Sequence, residues 1–284
     1  MRRYLAMHKA SCNSLGNDVS SQPILDNKDP DAPSLFAPAA LLREARRQKA
    51  LAAADVPPVC ILDPDGDIVR RLKKLQQVKC FEAWPCYHTK LYTFPLAGET
   101  AGIIGCAVGA PFAVLVAEEL FACGCRALIS LTSAGQIVPI ASPPYFVVID
   151  RALRDEGTSY HYAAPEEFAM ADPRIVAVAA HALEKAGLQA FVGASWTTDA
   201  PFRETICAVE AARARGVLAV EMEAAALYAF ARKRDKRVLC LAHVTNTMGL
   251  ADIDFEKGEA GGSADALATL ETVAKSIRSR EAIR

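Results

Sequence analysis

The stretch Gly216–Arg234, GVLAVEMEAAALYAFARKR, changes character near its middle. Residues 217–220 are apolar with two β-branched side chains, whereas the second half is rich in alanine, leucine and aromatics and ends on positive charges. This pattern predicts a buried strand that runs directly into a helix. The junction carries Glu221, Met222 and Glu223, where a strand of an open α/β sheet delivers residues to a ligand crevice.

Two interpretations of this acidic pair stay open on the residues alone. A carboxylate has two adjacent acceptor oxygens, so it can bind both hydroxyls of a vicinal diol such as that of ribose. Alternatively, Glu221 and Glu223 only favour the helix N-terminus, where the macrodipole stabilises negative charge.

The composition narrows the class of protein. A chain of 284 residues, 52% of them hydrophobic, predicts one large domain rather than two. A net charge of −1 gives no general attraction to nucleic acid or acidic membranes. The nine cysteines are odd in number and lack paired CxxC spacing, which predicts reduced thiols in a cytoplasmic protein and no metal site.

No segment has the pattern of a leader or a membrane span. The first twenty residues mix polarities without an apolar core, which predicts that there is no signal peptide. The longest uncharged run, residues 101–117, contains three glycines and Pro111, which fit strand, loop and helix better than a span.

The sequence predicts that the chain divides into an N-terminal extension, residues 1–55, and one main domain, residues 56–284. The extension is polar at first and has helical composition over residues 39–54. The domain opens with VCILDPDGDIVRRLKKL, which predicts a strand, a turn and a helix. Gly66 in the turn lets the backbone approach a ligand closely, and Arg70 can reach an anion at the helix N-terminus. On the residues alone, an ordinary surface arginine beside Arg71 and Lys73 is the favoured interpretation of Arg70.

Alternating strands and helices follow over more than two hundred residues and predict an α/β fold with a mixed sheet. Predicted strands cover residues 90–96, 102–108, 126–131, 145–153, 191–196 and 238–244, and predicted helices cover residues 112–123 and 173–186 and begin again near 264. Thr132–Gly135 is predicted as a loop, suited to a ligand or to a tight turn. A polar segment, residues 154–162, places His161 either against a substrate or in a loop cap.

The order of these motifs resembles the hexamer-forming nucleoside phosphorylases, which include uridine phosphorylase and bacterial purine nucleoside phosphorylase. Over residues 59–280, DGDIVRRL is similar to the family's phosphate loop, AVGAP to its substrate loop, LTSAG to its central loop and VEMEA to its ribose motif. RDEGTSYHYAAPEEF and GASWTTD look most like the uridine phosphorylase branch. The resemblance implies a single-domain, three-layer α/β/α fold with a central mixed sheet.

The resemblance also implies roles for individual residues. Glu223 is similar to the carboxylate that holds the ribose hydroxyls, with Met222 against the sugar and Glu221 as the neighbouring acid. Gly66 and Arg70 match the family's phosphate ligands. Ser133 is similar to the small hydroxyl residue that contacts phosphate or sugar in the family. The other implied positions are Ala134 and Gly135 in the central loop, His161 in the polar segment, and Phe202 and Arg203 in the base loop.

These matches imply phosphorolysis of a nucleoside to free base and pentose 1-phosphate. They imply no cofactor beyond phosphate as co-substrate, and a homo-oligomer, either a dimer or a hexamer built as a trimer of dimers. The implied catalytic set is Glu223, Arg70 and Asn246.

Departures from the family pattern lie mainly at the phosphate. The second family arginine aligns near Tyr87, where only His88 or Lys90 supplies charge, and the third is Ser130. Asn246 stands where the purine enzymes have an acid, and an asparagine cannot protonate a purine nitrogen. The sequence therefore favours uridine-like substrates over purines. It leaves open a nucleoside hydrolase that uses water, and a nucleoside-binding protein without turnover.

Overall fold

The computed structural model describes residues 22–247 and 262–278. The stretch 249–263 is rich in glycine and acidic residues, which predicts a loop, and it lies almost entirely outside the described residues. Within them the strands are β1 Val59–Asp63, β2 Lys79–Cys80, β3 Tyr92–Leu96, β4 Glu99–Gly105, β5 Ala127–Gln136, β6 Tyr145–Asp155, β7 Phe168–Met170, β8 Ala190–Thr198, β9 Val217–Glu221 and β10 Arg237–Thr247. The α-helices are α1 Pro38–Lys49, α2 Asp67–Lys74, α3 Ala110–Ala122, α4 Pro173–Lys185, α5 Ile206–Ala214, α6 Ala224–Arg234 and α7 Ser263–Arg278.

All ten strands form one mixed sheet in the order β10-β6-β8-β9-β5-β1-β4-β3-β2, with β7 attached to β6. Strand β10 also pairs with β5, so five strands close on themselves and the other strands of the path extend from β5 as an open sheet. The long strand β5 belongs to both parts, because it pairs in parallel with β1 and β10 and antiparallel with β9.

Helices cover the sheet in two groups. Helices α1, α3 and α6 pack together in one group, and α2, α4 and α7 in the other. The predicted single-domain, three-layer α/β/α fold with a central mixed sheet is therefore confirmed. None of the helices in residues 22–247 and 262–278 is both long and apolar enough to cross a membrane.

Helix α6, the second half of the stretch Gly216–Arg234, is the most deeply buried helix of the first group. Residues 224–231 are all buried, as expected for a helix that is apolar on every side. Its Tyr228 hydroxyl donates to the Ile149 carbonyl at 2.6 Å and accepts from the Cys240 amide at 3.0 Å. These bonds fix α6 against β6 and β10, and with it the junction that precedes the helix.

The helical part of the extension packs on the domain. In α1, Leu42 and Ala45 are buried, and the Arg46 guanidinium donates to the Cys123 sulfur at 3.1 Å at the end of α3. Residues 38–49 of this part of the chain are helical, and the helix covers α3. The division of the chain at residue 55 stays a prediction.

Two local predictions differ from the structure. Thr132–Gly135 was expected as a loop but lies inside β5, because this half of the strand still pairs with β10 and β9. The predicted strands 90–96 and 102–108 are a hairpin of 92–96 and 99–105. Its two-residue turn is Ala97–Gly98, both at positive φ, the conformation that tight hairpins require.

Candidate active site

Glu221 is a fully engaged buried carboxylate at the end of β9. One oxygen accepts the Ser195 hydroxyl at 2.9 Å and the Thr197 hydroxyl, and the other accepts the amides of Glu223 at 2.6 Å and Ala224 at 2.7 Å. Burial raises the pKa of Glu221, and these donors oppose the rise. Its contacts fix the first turn of α6, so in this state it holds the junction together rather than facing a ligand.

Glu223 differs from Glu221 in having an open oxygen. Its side chain is buried, and Oε1 accepts the Gly109 amide at 2.8 Å. Oε2 accepts no hydrogen bond from any residue that the structure describes. The nearby Thr132 hydroxyl is directed at the Ser133 carbonyl instead, at 3.4 Å. Burial first, and then the Glu221 charge, raise the pKa of Glu223 above its ordinary value.

The strand register brings the predicted central-loop residues to the same place. Gly135 lies beside Val220 of β9 on one side and beside Asn246 of β10 on the other. Ala134 and Gly135 are buried, whereas Ser133, Met222 and Asn246 are half-buried. The carboxyl-terminal half of β5 is thus next to the junction that carries Glu223.

Gly66 packs too closely for any side chain. It precedes α2 with φ of +74°, and a Cβ there would lie 2.6 Å from the Cys106 sulfur and 3.0 Å from the Arg70 guanidinium. The Arg70 side chain is 62% exposed and pairs with Asp67. The structure therefore brings Gly66 and Arg70 together, as the phosphate prediction requires.

An open cleft of about 240 Å³ lies beside Gly66 and Arg70. His88, which is also predicted to bind phosphate, is on its wall. Two further cations, Lys73 and Lys90, also line the cleft, and the Lys73 ammonium lies 4.1 Å from the centre of the Tyr92 ring. The cleft thus collects positive charge around the start of α2.

Two carboxylates, one at the end of β1 and one in the turn between β1 and α2, lie close by. Asp65 accepts both the amide and the hydroxyl of Ser133, at 2.7 Å and 2.5 Å. Asp63, at the end of β1, is buried and accepts the Val69 amide at 2.9 Å. Burial is the main reason that the pKa of Asp63 is raised to about 7.

The residues predicted for the base lie in two short 3₁₀ turns. His161 ends the turn Ser159–His161 and is exposed; burial of the ring and then the Lys28 charge lower its pKa. Phe202 and Arg203 belong to the turn Pro201–Arg203, and both are exposed, Phe202 almost completely at 97%. Among the described residues, the Glu223 carboxylate accepts a hydrogen bond from Gly109 and none from these three residues, so the structure does not join them to Glu223.

Several functional contacts were missed from the sequence. Ser195 and Thr197 alternate along β8, so they face Glu221 from the same side of the strand. That spacing was a usable signal for a polar face. The contacts of Asp65 with Ser133 and of Gly109 with Glu223 join segments distant in the chain, which spacing cannot show.

No cluster of three or more His, Cys, Asp or Glu suited to a metal ion occurs within the described ranges. The polar groups found here are carboxylates with hydroxyl and amide donors on one side, and cations with a glycine turn on the other. The first set is suited to a sugar diol and the second to an anion.

Comparison with known proteins identifies the family. Residues 58–277, most of the chain, match the family model described as "Phosphorylase superfamily". A uridine phosphorylase of Thermococcus kodakarensis is 27% identical over 199 residues, which are 65% of this chain and 70% of that protein. A guanosine phosphorylase of Halorubrum lacusprofundi is 27% identical over 151 residues, 53% of this chain and 63% of the relative.

Solved structures agree on the fold. A uridine phosphorylase from Vibrio fischeri superposes with a TM-score of 0.65 at 22% identity, covering 79% of this chain and 95% of that chain. The same enzyme complexed with 6-hydroxy-1-naphthoic acid gives 0.66 at 21% identity, covering 82% and 99%. The resemblance stated from the motifs is confirmed, and the chain belongs to the phosphorylase superfamily, as a nucleoside phosphorylase.

Proposed function

We propose that this enzyme cleaves the N-glycosidic bond of a uridine-like nucleoside with phosphate, releasing the free base and a pentose 1-phosphate. The observation that carries the proposal is the buried Glu223 carboxylate, which is held by Gly109 through one oxygen and has the other open among the described residues. A buried acceptor without a donor is costly, and a sugar hydroxyl supplies the missing donor. Met222, adjacent and half-buried, provides an apolar surface for the pentose.

The chemistry follows from this placement. Breaking the bond builds positive charge on the sugar ring, and an anion beneath C1′ stabilises that charge and then attacks the carbon. Glu223 fixes the sugar so that the approach is productive, and Glu221 keeps Glu223 in place through its amide. Burial raises the pKa of Glu223. Hydrogen bonds donated by the sugar hydroxyls oppose this rise, because they favour the ionised, acceptor-only form of the carboxylate.

We assign the phosphate to the side of the site where Gly66 and Arg70 meet. The backbone turn at Gly66, the Arg70 guanidinium and the imidazole of His88 share one cleft. Ser133, in the carboxyl-terminal half of β5, is the predicted hydroxyl ligand of the phosphate. The cations Lys73 and Lys90 on the same wall take over charge that the family places on arginines at the positions of Tyr87 and Ser130.

The preference for a uridine-like base rests on Asn246. It is half-buried on β10 beside Gly135, next to the central strand, and its amide can donate to a base carbonyl without transferring a proton. His161, Phe202 and Arg203 are proposed as the outer wall of the base site. Their exposure means that they meet a base only if it extends toward the two 3₁₀ turns.

One observation favours hydrolysis as a second candidate. Ser130 brings a neutral hydroxyl to a position where the family has an arginine, and this hydroxyl is buried with no partner among the described residues. In addition, the donors of Ser133 are occupied by Asp65. A nucleosidase on this fold would use water as the nucleophile and would need no such arginine.

The experiment that decides is base release from uridine, thymidine, inosine, adenosine and methylthioadenosine, each with and without phosphate. We expect release from uridine or thymidine that requires phosphate and yields a sugar 1-phosphate. Release at equal rates without phosphate would replace the phosphorylase with the hydrolase. Binding of a nucleoside without any product, under both conditions, would refute enzymatic turnover.

The assembly and the location are further proposals. We expect a homo-oligomer, a dimer or a hexamer, because Tyr87, Val108 and Leu115 are apolar side chains exposed near the cation-lined cleft or on the helix behind it. Light scattering on the full chain tests this, and a 30.4 kDa monomer would contradict it. The eight cysteines in the described residues are all free thiols, which supports a cytoplasmic location.

A further inference from the structure

The contact between Asp65 and Ser133 has a chemical peculiarity. Ser133 offers two converging donors, its amide and its hydroxyl, and both go to one oxygen of Asp65, at 2.7 Å and 2.5 Å. Converging amide and hydroxyl donors are what binds an anionic oxygen in proteins. In this chain the anionic oxygen comes from the protein itself.

A carboxylate and a phosphate compete for such donors on equal terms. Both present charged, acceptor-only oxygens, so an N–H and O–H pair that serves one is not available to the other. Ser133 is half-buried at the carboxyl end of the central part of β5, beside His243 of β10. This is the position at which the proposed function requires a hydroxyl ligand for phosphate.

Asp65 is placed so that it can give way. It lies in the turn between β1 and α2, it is only half-buried, and its two bonds to Ser133 are its hydrogen bonds within the described part of the chain. A rotation of its side chain would therefore release Ser133 without breaking a strand or a helix. By contrast, the buried Asp63 is fixed to the Val69 amide.

The charge around Ser133 strengthens the competition. Asp63, Asp65 and Asp67 line one small cavity together with Ser133. Arg70 and the other cations line the neighbouring cleft and not this cavity. A phosphate that reaches Ser133 while Asp65 is in place would meet a like charge at contact distance, which opposes binding.

We propose that Asp65 is a specificity-determining residue for the second substrate: its carboxylate occupies the donor pair of Ser133 in the free enzyme and must leave it before phosphate binds. This inference rests on the proposed function, because it assigns Ser133 to phosphate. It makes the affinity for phosphate the result of an exchange between two anions. The free enzyme therefore binds phosphate weakly, although its donors are already in place.

The test measures binding of inorganic phosphate to the full chain by calorimetry, alongside the KM for phosphate and for the nucleoside. For Asp65→Ala we expect phosphate to bind at least tenfold more tightly, with the KM for phosphate falling in parallel and the KM for the nucleoside changing less than twofold. Asp65→Asn keeps the shape but removes the charge, so we expect a smaller gain in the same direction. Asp29→Ala, which removes an aspartate that also accepts backbone amides but lies in an exposed turn, should change nothing.

A double substitution separates competition from a merely structural role. In the wild type, Ser133→Ala removes a donor from Asp65 in the free state and from phosphate in the bound state, so the losses nearly cancel. In the Asp65→Ala background only the bound state loses, so Ser133→Ala should weaken phosphate binding at least fivefold more than in the wild type. Equal effects in the two backgrounds would overturn the proposal.

The remaining outcomes are also decisive. Phosphate binding to folded Asp65→Ala that is equal to or weaker than wild-type binding would refute the role of Asp65. If Asp65→Ala fails to fold, as judged by circular dichroism, the same criterion applies to Asp65→Asn. Base release that does not need phosphate would refute the proposed function instead, whereas phosphate-dependent release with unchanged phosphate affinity in the variants would refute only the exchange.

Discussion

The two ends of the candidate site are built differently. At the sugar end, Glu221 and Glu223 are buried, and the junction between β9 and α6 is held by hydroxyls from β8 and by backbone amides. At the anion end, Arg70 is 62% exposed and paired with Asp67. Ser133 at this end is bound to Asp65. The sugar end is therefore preformed and closed, whereas the anion end is open and filled by the protein's own carboxylates.

Under the proposed function, this difference separates recognition of the sugar from the choice of nucleophile. A closed, low-dielectric sugar end gives strong and specific hydrogen bonds to a diol. The anion end is open and carries charges of both signs, so solvent screens the electrostatic interactions there. The strength of anion binding at this end therefore depends on which neighbouring charges are paired with each other. Substitutions at the sugar end should therefore change stability or turnover greatly, and those at the anion end should mainly change the response to phosphate.

The largest expected effect is on stability, from Glu221→Ala. The change leaves the hydroxyls of Ser195 and Thr197 and two amides at the start of α6 without their acceptor. Each orphaned buried donor costs about 1–3 kcal/mol, with partial relief by rearrangement, so we expect the free energy of unfolding to fall by about 3–5 kcal/mol. Urea denaturation measures it, with the exposed Glu210→Ala of α5 as control. A loss below about 1 kcal/mol would show that the sugar end is not preformed.

The next effect is on turnover, from Glu223→Gln. The amide keeps the shape of the side chain, and its oxygen can still accept the Gly109 amide. It loses the charge that binds the sugar hydroxyls, and we expect kcat/KM for the nucleoside to fall about 100-fold, or about 2.7 kcal/mol. Stability should stay equal or rise, because ionising this carboxyl is opposed by burial. A variant with wild-type kcat/KM would remove Glu223 from the site.

A third prediction concerns pH and Asp63, at the anion end. Its pKa is about 7 in the folded protein, mainly through burial, and about 3.9 in an unfolded chain. Between these values the folded state keeps a proton that the unfolded state loses. The free energy of unfolding should therefore fall as the pH rises from about 4 to about 7, and level off above it.

Asp63→Asn removes this dependence while the amide oxygen still accepts the Val69 amide. We expect a flatter stability curve and a gain of about 2 kcal/mol at pH 8, measured by chemical denaturation across the pH range. This gain is about half of the roughly 4 kcal/mol that corresponds to the difference between the two pKa values, because a neutral amide oxygen accepts the Val69 amide more weakly than a carboxylate does. Asp29→Asn, in an exposed turn, is the matched control. Parallel curves for wild type and Asp63→Asn would mean that Asp63 does not cause the pH dependence, and that its pKa is not raised by burial.

The sequence predicted the sugar end better than the anion end, for a physical reason. A buried strand followed by an alanine-rich helix is a local pattern, so the position of Glu221 and Glu223 at the end of β9 followed from periodicity. The division of labour between the two acids did not, because it depends on Ser195 and Thr197 from another strand and on Gly109.

At the anion end, local chemistry predicted that Gly66 would be close to Arg70, because both belong to one turn and helix. The bond from Ser133 to Asp65 joins residues 68 positions apart. Thr132–Gly135 was predicted as a loop because small hydroxyl residues and glycine are typical of loops. Pairing with β9 and β10 overrides that preference and extends β5.

The smallest expected effect is that of Arg70→Ala, and it tests where the anion end is. The guanidinium is mostly in solvent and already shares its charge with Asp67, so a bond to phosphate there replaces a screened pair rather than satisfying a buried group. We expect the KM for phosphate to rise about tenfold, equivalent to about 1.4 kcal/mol, with kcat changed less than threefold. Lys74→Ala, an exposed cation on the same helix outside the cleft, is the control for loss of general positive charge. Equal rises in both variants would mean that phosphate responds only to net charge. An unchanged KM in Arg70→Ala would place the phosphate outside the cleft of Gly66 and His88. This cleft would then not be the anion end of the site, and the contrast with the closed sugar end would no longer hold.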